Sequence, residues 1–241
     1  MNETPGPDEA APSDRRLVAP VRHTVILVAI LLAIAAYGIY GQQMAAKASP
    51  AATRGSLLPL YLTLLVAEWA LVRYVMVGLR KGATPFRELL GRRWTGWKDV
   101  LRDVALALAV FAIWTAGSSF VDQLSHVETP KAVENMLPRG GAEIAVWILL
   151  SLSAGFCEEV VYRGYLQRQL QALTGSGLAA VALQAVIFGV SHGYQGVRNV
   201  LFITVYGALF GALALWRRSL KPGMILHAWT DIFGGLIQKS F

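Results

Sequence analysis

The sequence is poor in charged residues and in cysteine, and both shortages limit what it can be. Only 15% of its 241 residues are charged and 55% are hydrophobic, whereas a soluble domain usually carries about 25% charged residues. The single cysteine, Cys157, excludes an intramolecular disulfide and any cysteine-rich metal site. The sequence also has no internal repeat, which argues against the inverted-repeat design of many transporters. These observations indicate a polytopic membrane protein.

Seven apolar segments predict an all-α helical bundle with about seven transmembrane helices. The later segments are short for a span of roughly 20 residues, as expected for helices that line a cavity rather than lipid. Glu68 and Arg73 interrupt the second segment, and we expect them to bridge to other helices without a catalytic role. The segments are His23–Gly41, Leu57–Leu79, Val100–Val121, one that begins near Ala142, Leu178–His192, Val200–Trp216 and Met224–Ile237.

The basic residues predict the orientation of this bundle. The formal net charge is +7, but the arginines and lysines gather between apolar segments on one side, which is the positive-inside pattern rather than a nucleic-acid-binding surface. The N-terminus is therefore predicted to be cytoplasmic, in a multi-pass protein of the cell membrane, and the composition suggests a bacterial inner membrane. The basic residues on that side are Arg15, Arg16, Arg22, Arg80, Lys81, Arg87, Arg92, Arg93, Lys98, Arg163, Arg168, Arg217, Arg218 and Lys221.

Composition divides the chain into three parts. Residues 1–20 are polar and rich in proline, which predicts a disordered cytoplasmic tail rather than a signal peptide. Residues 21–140 hold the N-terminal transmembrane helices. Within them, residues 84–99 mix aromatic and basic side chains and are predicted to be an interfacial segment, although an ordinary loop is the equal alternative. Residues 141–241 are predicted to form the catalytic helical core.

Five ionisable side chains occupy the apolar segments of this core. Glu158 and Glu159 lie in the fourth segment, His192 ends the fifth, and His227 and Asp231 share the seventh. Each ionisable group in a bilayer costs on the order of 2.5–3.5 kcal/mol on insertion scales, so each requires a reason. Their concentration in three neighbouring segments predicts a functional site.

A glycine-rich break at Thr174–Gly177 predicts that the fourth and fifth segments form an antiparallel hairpin. Glu158 lies 16 residues before this break and His192 lies 15 residues after it, so each is about 23 Å from the turn. The two side chains are therefore expected at the same depth, which His227 can reach from the start of the seventh segment. These positions predict one cavity in the cytoplasmic half of the membrane, open to the cytoplasm.

The two adjacent glutamates are predicted to have different roles, because neighbouring positions on a helix diverge by about 100°. Glu159 and Arg163 are four residues apart, a spacing that favours an ion pair. Glu158 is then left to face the histidines. A carboxylate held in a low-dielectric site suits a general base.

Three short motifs in this region resemble those of a known family. Their order and spacing over residues 142–241 resemble the CPBP family, the CAAX proteases and bacteriocin-processing enzymes that are also called Abi. The resemblance implies an all-helical intramembrane endopeptidase that cleaves a membrane-associated or lipidated peptide or protein without a covalent intermediate. The matches are EEVVYR to EExxxR (Glu158, Glu159, Arg163), FGVSH to FxxxH (Phe188, His192) and HAWTD to HxxxN/D (His227, Asp231).

By this resemblance, Glu158 activates water with help from His192, while His227 and Asp231 stabilise the oxyanion, and no cofactor is favoured. Asp231 stands where many members have asparagine. An ionised aspartate cannot donate a hydrogen bond, so Asp231 either orients His227 or stays protonated. The supporting residues are Glu159, Arg163 and Phe188.

Three other interpretations stay open. Histidines and carboxylates also satisfy zinc, and the ligands of such a metalloprotease would be Glu158, His192, His227 and Asp231. Buried carboxylate–histidine sets also make proton relays in proton-coupled transporters, and a non-catalytic immunity or scaffold protein could keep the same fold. The expected partners are the lipid bilayer and a membrane-embedded peptide or protein substrate, without nucleic acid.

Overall fold

The structure, a computed structural model, describes residues 16–47, 55–125 and 131–237. Within these ranges it contains ten α-helices and no β-sheet, so the predicted all-α fold is confirmed. The helices are α1 Val21–Lys47, α2 Leu58–Lys81, α3 Phe86–Leu90, α4 Trp97–Ser125, α5 Lys131–Glu134, α6 Gly141–Glu158, α7 Gln167–Thr174, α8 Gly177–Ser191, α9 Val197–Arg217 and α10 Lys221–Ile237.

Five helical stretches in the described residues are long and apolar enough to cross a membrane, so the protein is a multi-pass membrane protein. Two helices predicted as spans are shorter, because α8 has 15 residues and α10 has 17. These two short helices carry candidate site residues. The five stretches are Val21–Met44, Leu58–Lys81, Trp97–Phe120, Gly141–Thr174 and Val197–Arg217.

One continuous helical rod, Gly141–Thr174, forms the centre of the core. It consists of α6, a π-helical segment at Glu159–Leu166, and α7, and every residue of the π-helical segment is buried. Such wide turns are rare and are frequent at functional sites. Arg163 lies in this segment and is 1% exposed. Arg163, counted in the sequence analysis among the basic residues of the cytoplasmic side, therefore lies inside the bundle, because the helix continues through it.

Small residues let neighbouring helices approach the rod closely. The rod packs against α2 on one side and α10 on the other, while α8 packs against α9. A Cβ atom added at Gly155 would lie 2.8 Å from the backbone nitrogen of Ala228 in α10, and one added at Gly223 would lie 2.9 Å from the Glu159 carboxylate. Contact through glycine and alanine is typical of membrane helices. It brings α10 directly against the acidic residues of the rod.

The predicted hairpin at Thr174–Gly177 is confirmed. Gly175 ends α7 with a φ of 69°, a left-handed conformation that glycine adopts without strain. Ser176 then caps α8, because its Oγ accepts a hydrogen bond from the Ala179 amide at 3.2 Å. The rod and α8 therefore run antiparallel from this turn.

The chain just before α1 is held against the rod. Residues 1–15 of the predicted tail lie outside the described residues, but Val18 and Ala19 are buried. The Gln169 Oε1 atom accepts hydrogen bonds from both of their amides, at 2.9 and 3.3 Å, and Gln169 Nε2 donates to the Ala19 carbonyl at 2.8 Å. Val18 and Ala19, which the prediction placed in the tail, are therefore bound to the rod by a buried glutamine side chain.

Candidate active site

Two adjacent glutamates at the α6–π junction hold one imidazole of α10 from opposite sides. The His227 Nε2 atom lies 3.7 Å from Glu158 Oε2, and the His227 Nδ1 atom lies 3.0 Å from Glu159 Oε1. The prediction that Glu158 alone would face the histidines is therefore wrong. The imidazole spans the gap between the two diverging carboxylates, because α10 approaches the rod so closely.

The predicted ion pair between Glu159 and Arg163 is present and buried. Arg163 Nη1 donates to Glu159 Oε1 at 2.7 Å. The guanidinium group also lies over the rings of Phe188 and Phe210, at 4.2 and 4.8 Å from their centroids. A buried pair withstands its desolvation cost only with such additional contacts. Glu159 is therefore a fixed anion beside the His227 ring.

The hydrogen bond with Glu159 sets the orientation of His227. An ionised carboxylate only accepts hydrogen bonds, so Nδ1 of His227 carries the donated proton. The opposite nitrogen, Nε2, then points to Glu158 and to Asp231, whose Oδ2 atom is 3.7 Å away. His227 Nε2 thus lies between two carboxylates. Each distance of 3.7 Å is slightly too long for a hydrogen bond, so a small movement of the side chains would form one.

Asp231 is positioned by the rod as well as by its own helix. The indole Nε1 of Trp147 donates to the Asp231 backbone carbonyl at 3.0 Å. This contact requires a glycine at position 235, where a Cβ atom would lie 2.0 Å from the same indole nitrogen. The Asp231 side chain remains 36% exposed, so its carboxylate is available to a ligand.

His192 ends α8 and has a defined tautomer. Its Nδ1 donates to the Phe188 carbonyl at 2.8 Å, which leaves a lone pair on Nε2 when the ring is neutral. The Phe188 and Tyr162 rings pack edge to face, with their centroids 4.9 Å apart. Tyr162 lies one turn after Glu158, and Phe188 lies one turn before His192 on an antiparallel helix. Glu158 and His192 are therefore at about the same level, as predicted.

A cavity of about 350 Å³ is lined by His192, His227 and Asp231. Glu158 does not line it and contacts its lining through His227 Nε2. Aromatic and polar side chains of α4, α9 and the α8–α9 turn complete the wall. They include Trp114, Gln195, Arg198, Asn199, Phe202 and Tyr206.

The direction in which this cavity extends differs from the prediction. It runs from His227 toward Leu137 and Gln195, which lie at the end of the bundle opposite the Thr174–Gly177 turn. The predicted opening on the side of that turn is wrong. The buried side chains of Arg163 and Phe210 fill the space on that side of His227.

A comparison with protein families bears on these residues. The family model of Rce1-like proteins, described as type II CAAX prenyl endopeptidases, matches residues 140–233. The matched range contains all three motifs of the sequence analysis. This part of the chain is therefore similar to the CAAX proteases. No curated protein and no solved structure gave a significant match.

The match to the Rce1-like family model confirms the resemblance inferred from the motifs. The family indicates an intramembrane protease, which agrees with the apolar helices of the described residues, and it indicates a membrane-associated substrate. Residues before 140 lie outside the match, so it does not include α1 to α5.

One carboxylate outside the CAAX protease match reaches the same site. Glu68 of α2 forms a hydrogen bond with Ser153 of the rod and interacts electrostatically with Glu158. Its Oε2 atom is buried without a hydrogen-bond partner in the described part of the chain. Sequence reasoning assigned Glu68 no catalytic role. Its position as a charged residue inside an apolar segment was the signal that marked it.

The described residues also bear on the zinc interpretation of the CAAX protease motifs. No group of three or more histidine, cysteine, aspartate or glutamate side chains in the ranges 16–47, 55–125 and 131–237 is arranged to hold a metal ion.

Proposed function

We propose that this protein is an endopeptidase that hydrolyses a membrane-associated peptide or protein with a water molecule activated by Glu158. The observation that carries the proposal is the placement of one imidazole, His227, between the Glu158 and Asp231 carboxylates, at 3.7 Å from each. The donor and the exposed carboxylate line the cavity and the base lies beside the donor, and together they supply the groups that peptide hydrolysis needs.

In the first step, Glu158 takes a proton from water while the water oxygen bonds to the peptide carbonyl carbon. The carbonyl π electrons move to oxygen and form a tetrahedral oxyanion. Glu158 Oε2 is buried and has no hydrogen-bond partner among the described residues, so a water molecule is a fitting partner for it. His192 Nε2 accepts the second hydrogen bond of that water.

The oxyanion is stabilised by His227. Glu159 holds Nδ1, so a proton on Nε2 points toward the cavity and is donated to the oxyanion. Asp231 lies beside this donor and binds the scissile segment. In the last step the carbon–nitrogen bond breaks, the leaving amine takes the proton from Glu158, and the carboxylate is regenerated.

The substrate is proposed to enter the cavity as an extended peptide. The lining combines aromatic rings with the polar side chains of Gln195, Arg198 and Asn199. Aromatic rings suit apolar side chains of a peptide, and the polar groups suit its backbone. The cavity volume of about 350 Å³ accommodates a short stretch of chain rather than a folded domain.

The test is cleavage of a mixed peptide library by purified protein in nanodiscs, with products identified by mass spectrometry. Glu158→Gln should lower the rate at least about 100-fold, because an amide cannot take a proton from water, while thermal unfolding stays close to wild type. Glu88→Gln, at an exposed position, is the matched control and should cleave normally.

A chelator arm separates this mechanism from a zinc-dependent one. Wild-type cleavage should persist after dialysis against a strong chelator. Loss of wild-type cleavage that added zinc restores would overturn the metal-free mechanism, and a Glu158→Gln variant that cleaves at the wild-type rate would overturn the role of Glu158.

A further inference from the structure

A second cavity, of about 680 Å³, lies at the end of the bundle where α2 and α9 end and α10 begins. Its wall consists of the chain after α2, the short helix α3, the α9–α10 turn and the polar face of the rod around Gln167. The described residues that line it are all different from those that line the candidate active site. It is therefore a separate site.

The lining of this second cavity is strongly basic. Glu88 supplies the one carboxylate among its described lining residues, whereas guanidinium groups approach from at least four parts of the chain. Guanidinium groups bind phosphate through paired N–H donors. Donors that converge from several directions suit the tetrahedral oxygens of a phosphate better than a planar carboxylate. Besides Arg163, the arginines are Arg16, Arg87, Arg92, Arg93, Arg168 and Arg218.

Backbone hydrogen bonds fix the two segments that carry most of these arginines. Gly91 and Ser219 form an isolated antiparallel bridge, and the Arg92 amide donates to the Arg218 carbonyl at 3.0 Å. The approach requires glycine, because a Cβ atom at position 91 would lie 2.2 Å from the Arg218 carbonyl oxygen and φ there is 74°. The positions of the basic side chains are thus built into the fold.

Two buried polar atoms in the wall lack partners. Arg163 Nε and Gln167 Oε1 have no hydrogen-bond partner in the described part of the chain, although their side chains line the cavity and are 1% and 3% exposed. Buried polar groups of native proteins are nearly always hydrogen-bonded. A polar ligand or its bound water in this cavity would supply the missing partners.

The cavity lies at the level of lipid headgroups. Trp94 and Trp97, in the predicted interfacial segment 84–99, are 41% and 70% exposed. Lys221 Nζ lies 5.4 Å above the Trp94 ring, and Lys98 Nζ lies 5.9 Å from the Trp97 ring. Tryptophan and lysine collect at the membrane–water interface. Basic pockets between transmembrane helices at this depth suit anionic headgroups.

We infer that this arginine-lined cavity binds the phosphate group of an anionic membrane lipid. The site is distinct from the cavity of the candidate active site, although Arg163 in its wall also forms the ion pair with Glu159. Binding holds α3 and the α9–α10 turn together, since the phosphate replaces mutual repulsion among the guanidinium groups with attraction.

The test uses the full chain in nanodiscs of phosphatidylcholine with and without phosphatidylglycerol. Native mass spectrometry counts the retained phosphatidylglycerol, and thermal unfolding reports stabilisation. The cavity variant carries Arg87→Gln with Arg93→Gln. The matched control carries Arg80→Gln with Lys98→Gln, which removes the same charge from exposed positions at the same end of the bundle but outside the cavity.

Phosphatidylglycerol should raise the unfolding temperature of wild type and control and leave the cavity variant nearly unchanged. The affinity for phosphatidylglycerol should fall roughly 100-fold in the cavity variant, at about tenfold per arginine that loses its charge-assisted hydrogen bonds to the phosphate, and far less in the control. Equal losses in the cavity variant and the control would overturn the site, because diffuse attraction would then explain binding.

A third arm adds inorganic phosphate at constant ionic strength to phosphatidylcholine nanodiscs. Stabilisation by free phosphate without any by phosphatidylglycerol would overturn the lipid as the source. If the double variant fails to fold, the single variants Arg87→Gln and Arg93→Gln replace it, and wild-type lipid retention by both would also overturn the site.

Discussion

Two helical stretches of this protein are both apolar enough to cross a membrane, yet they have different surroundings. In the most apolar stretch of the rod Gly141–Thr174, half of the residues are buried inside the protein. In the corresponding stretch of Trp97–Phe120 in α4, 11% are buried. Hydropathy therefore shows that a helix can enter the bilayer, but it does not show whether protein or lipid surrounds it.

The ionisable residues make that distinction. The rod buries Glu159 and Arg163 completely, whereas the exposed positions of α4 include Leu108, Ile113 and Phe120, which are 47%, 74% and 63% exposed. A charge in lipid is costly, so a helix that carries charges at mid-length must be enclosed by other helices. The predictions below test this contrast between an enclosed and a lipid-facing helix.

The largest effect is expected from Glu159→Gln. The change leaves the buried Arg163 guanidinium without its anion and weakens the contact that orients His227. Removing one partner of a buried pair destabilises a protein by about 3–5 kcal/mol. Denaturant unfolding in detergent should report a loss of that order, and cleavage should fall with it.

A second variant shows whether the unpaired charge is the cause. The double variant Glu159→Gln with Arg163→Met removes both charges and should regain much of the lost stability, although cleavage should stay low because His227 is still unanchored. A double variant as unstable as the single one would show that the pair matters for its shape rather than its charge.

A smaller effect is expected where helices touch. Gly155→Ala puts a methyl group 2.8 Å from the α10 backbone, and overpacking of this kind costs about 1–3 kcal/mol. Gly117→Ala in α4 is the matched control, since a Cβ atom there meets nothing within 4 Å. It should be neutral or stabilising by up to about 1 kcal/mol. Equal losses of unfolding free energy in both variants would contradict the contrast between the two helices.

Glu68→Gln should lower the cleavage rate about fivefold and leave the unfolding free energy nearly unchanged. Glutamine keeps the size of the side chain but removes an ionisable group that interacts electrostatically with Glu158. When Glu68 is deprotonated, its charge strengthens the pull of Glu158 on the proton of water. The expected change corresponds to about 1 kcal/mol in the barrier. Arg73→Gln, at an exposed position of the same helix, is the control, and a matching fall there would point to a general effect of α2.

The smallest effect is expected from Asp231→Asn. Asparagine can donate a hydrogen bond to an oxyanion, so the rate should stay within about threefold of wild type, or under about 0.7 kcal/mol in the barrier. Measurements with and without chelator distinguish the alternatives. A fall with asparagine and with chelator would indicate a metal ligand, and a fall with asparagine alone would indicate that Asp231 orients His227 as an anion.

Much of the site follows from spacing along single helices. The four-residue step from Glu159 to Arg163 predicts their pair, and the distances of Glu158 and His192 from the glycine-rich turn predict their common level. Other features depend on how helices rotate against each other, which spacing does not specify. These include the reach of Glu159 to His227, the approach of Glu68 and the direction of the cavity. The π-helical segment cannot be predicted from the sequence either, because its residues would also suit an α-helix.

The hydrogen bonds of Gln169 also have a consequence for biosynthesis. One of them joins Gln169 to Val18, which precedes it by 151 residues. The segment before α1 therefore lacks this partner until much later in translation. At about 5–20 residues per second, this delay is on the order of 10–30 s. During that time α1 is already in the membrane, but Val18 and Ala19 before it have not yet formed their hydrogen bonds with Gln169. The chain before α1 is therefore fixed only after the helix that carries Gln169 has been made.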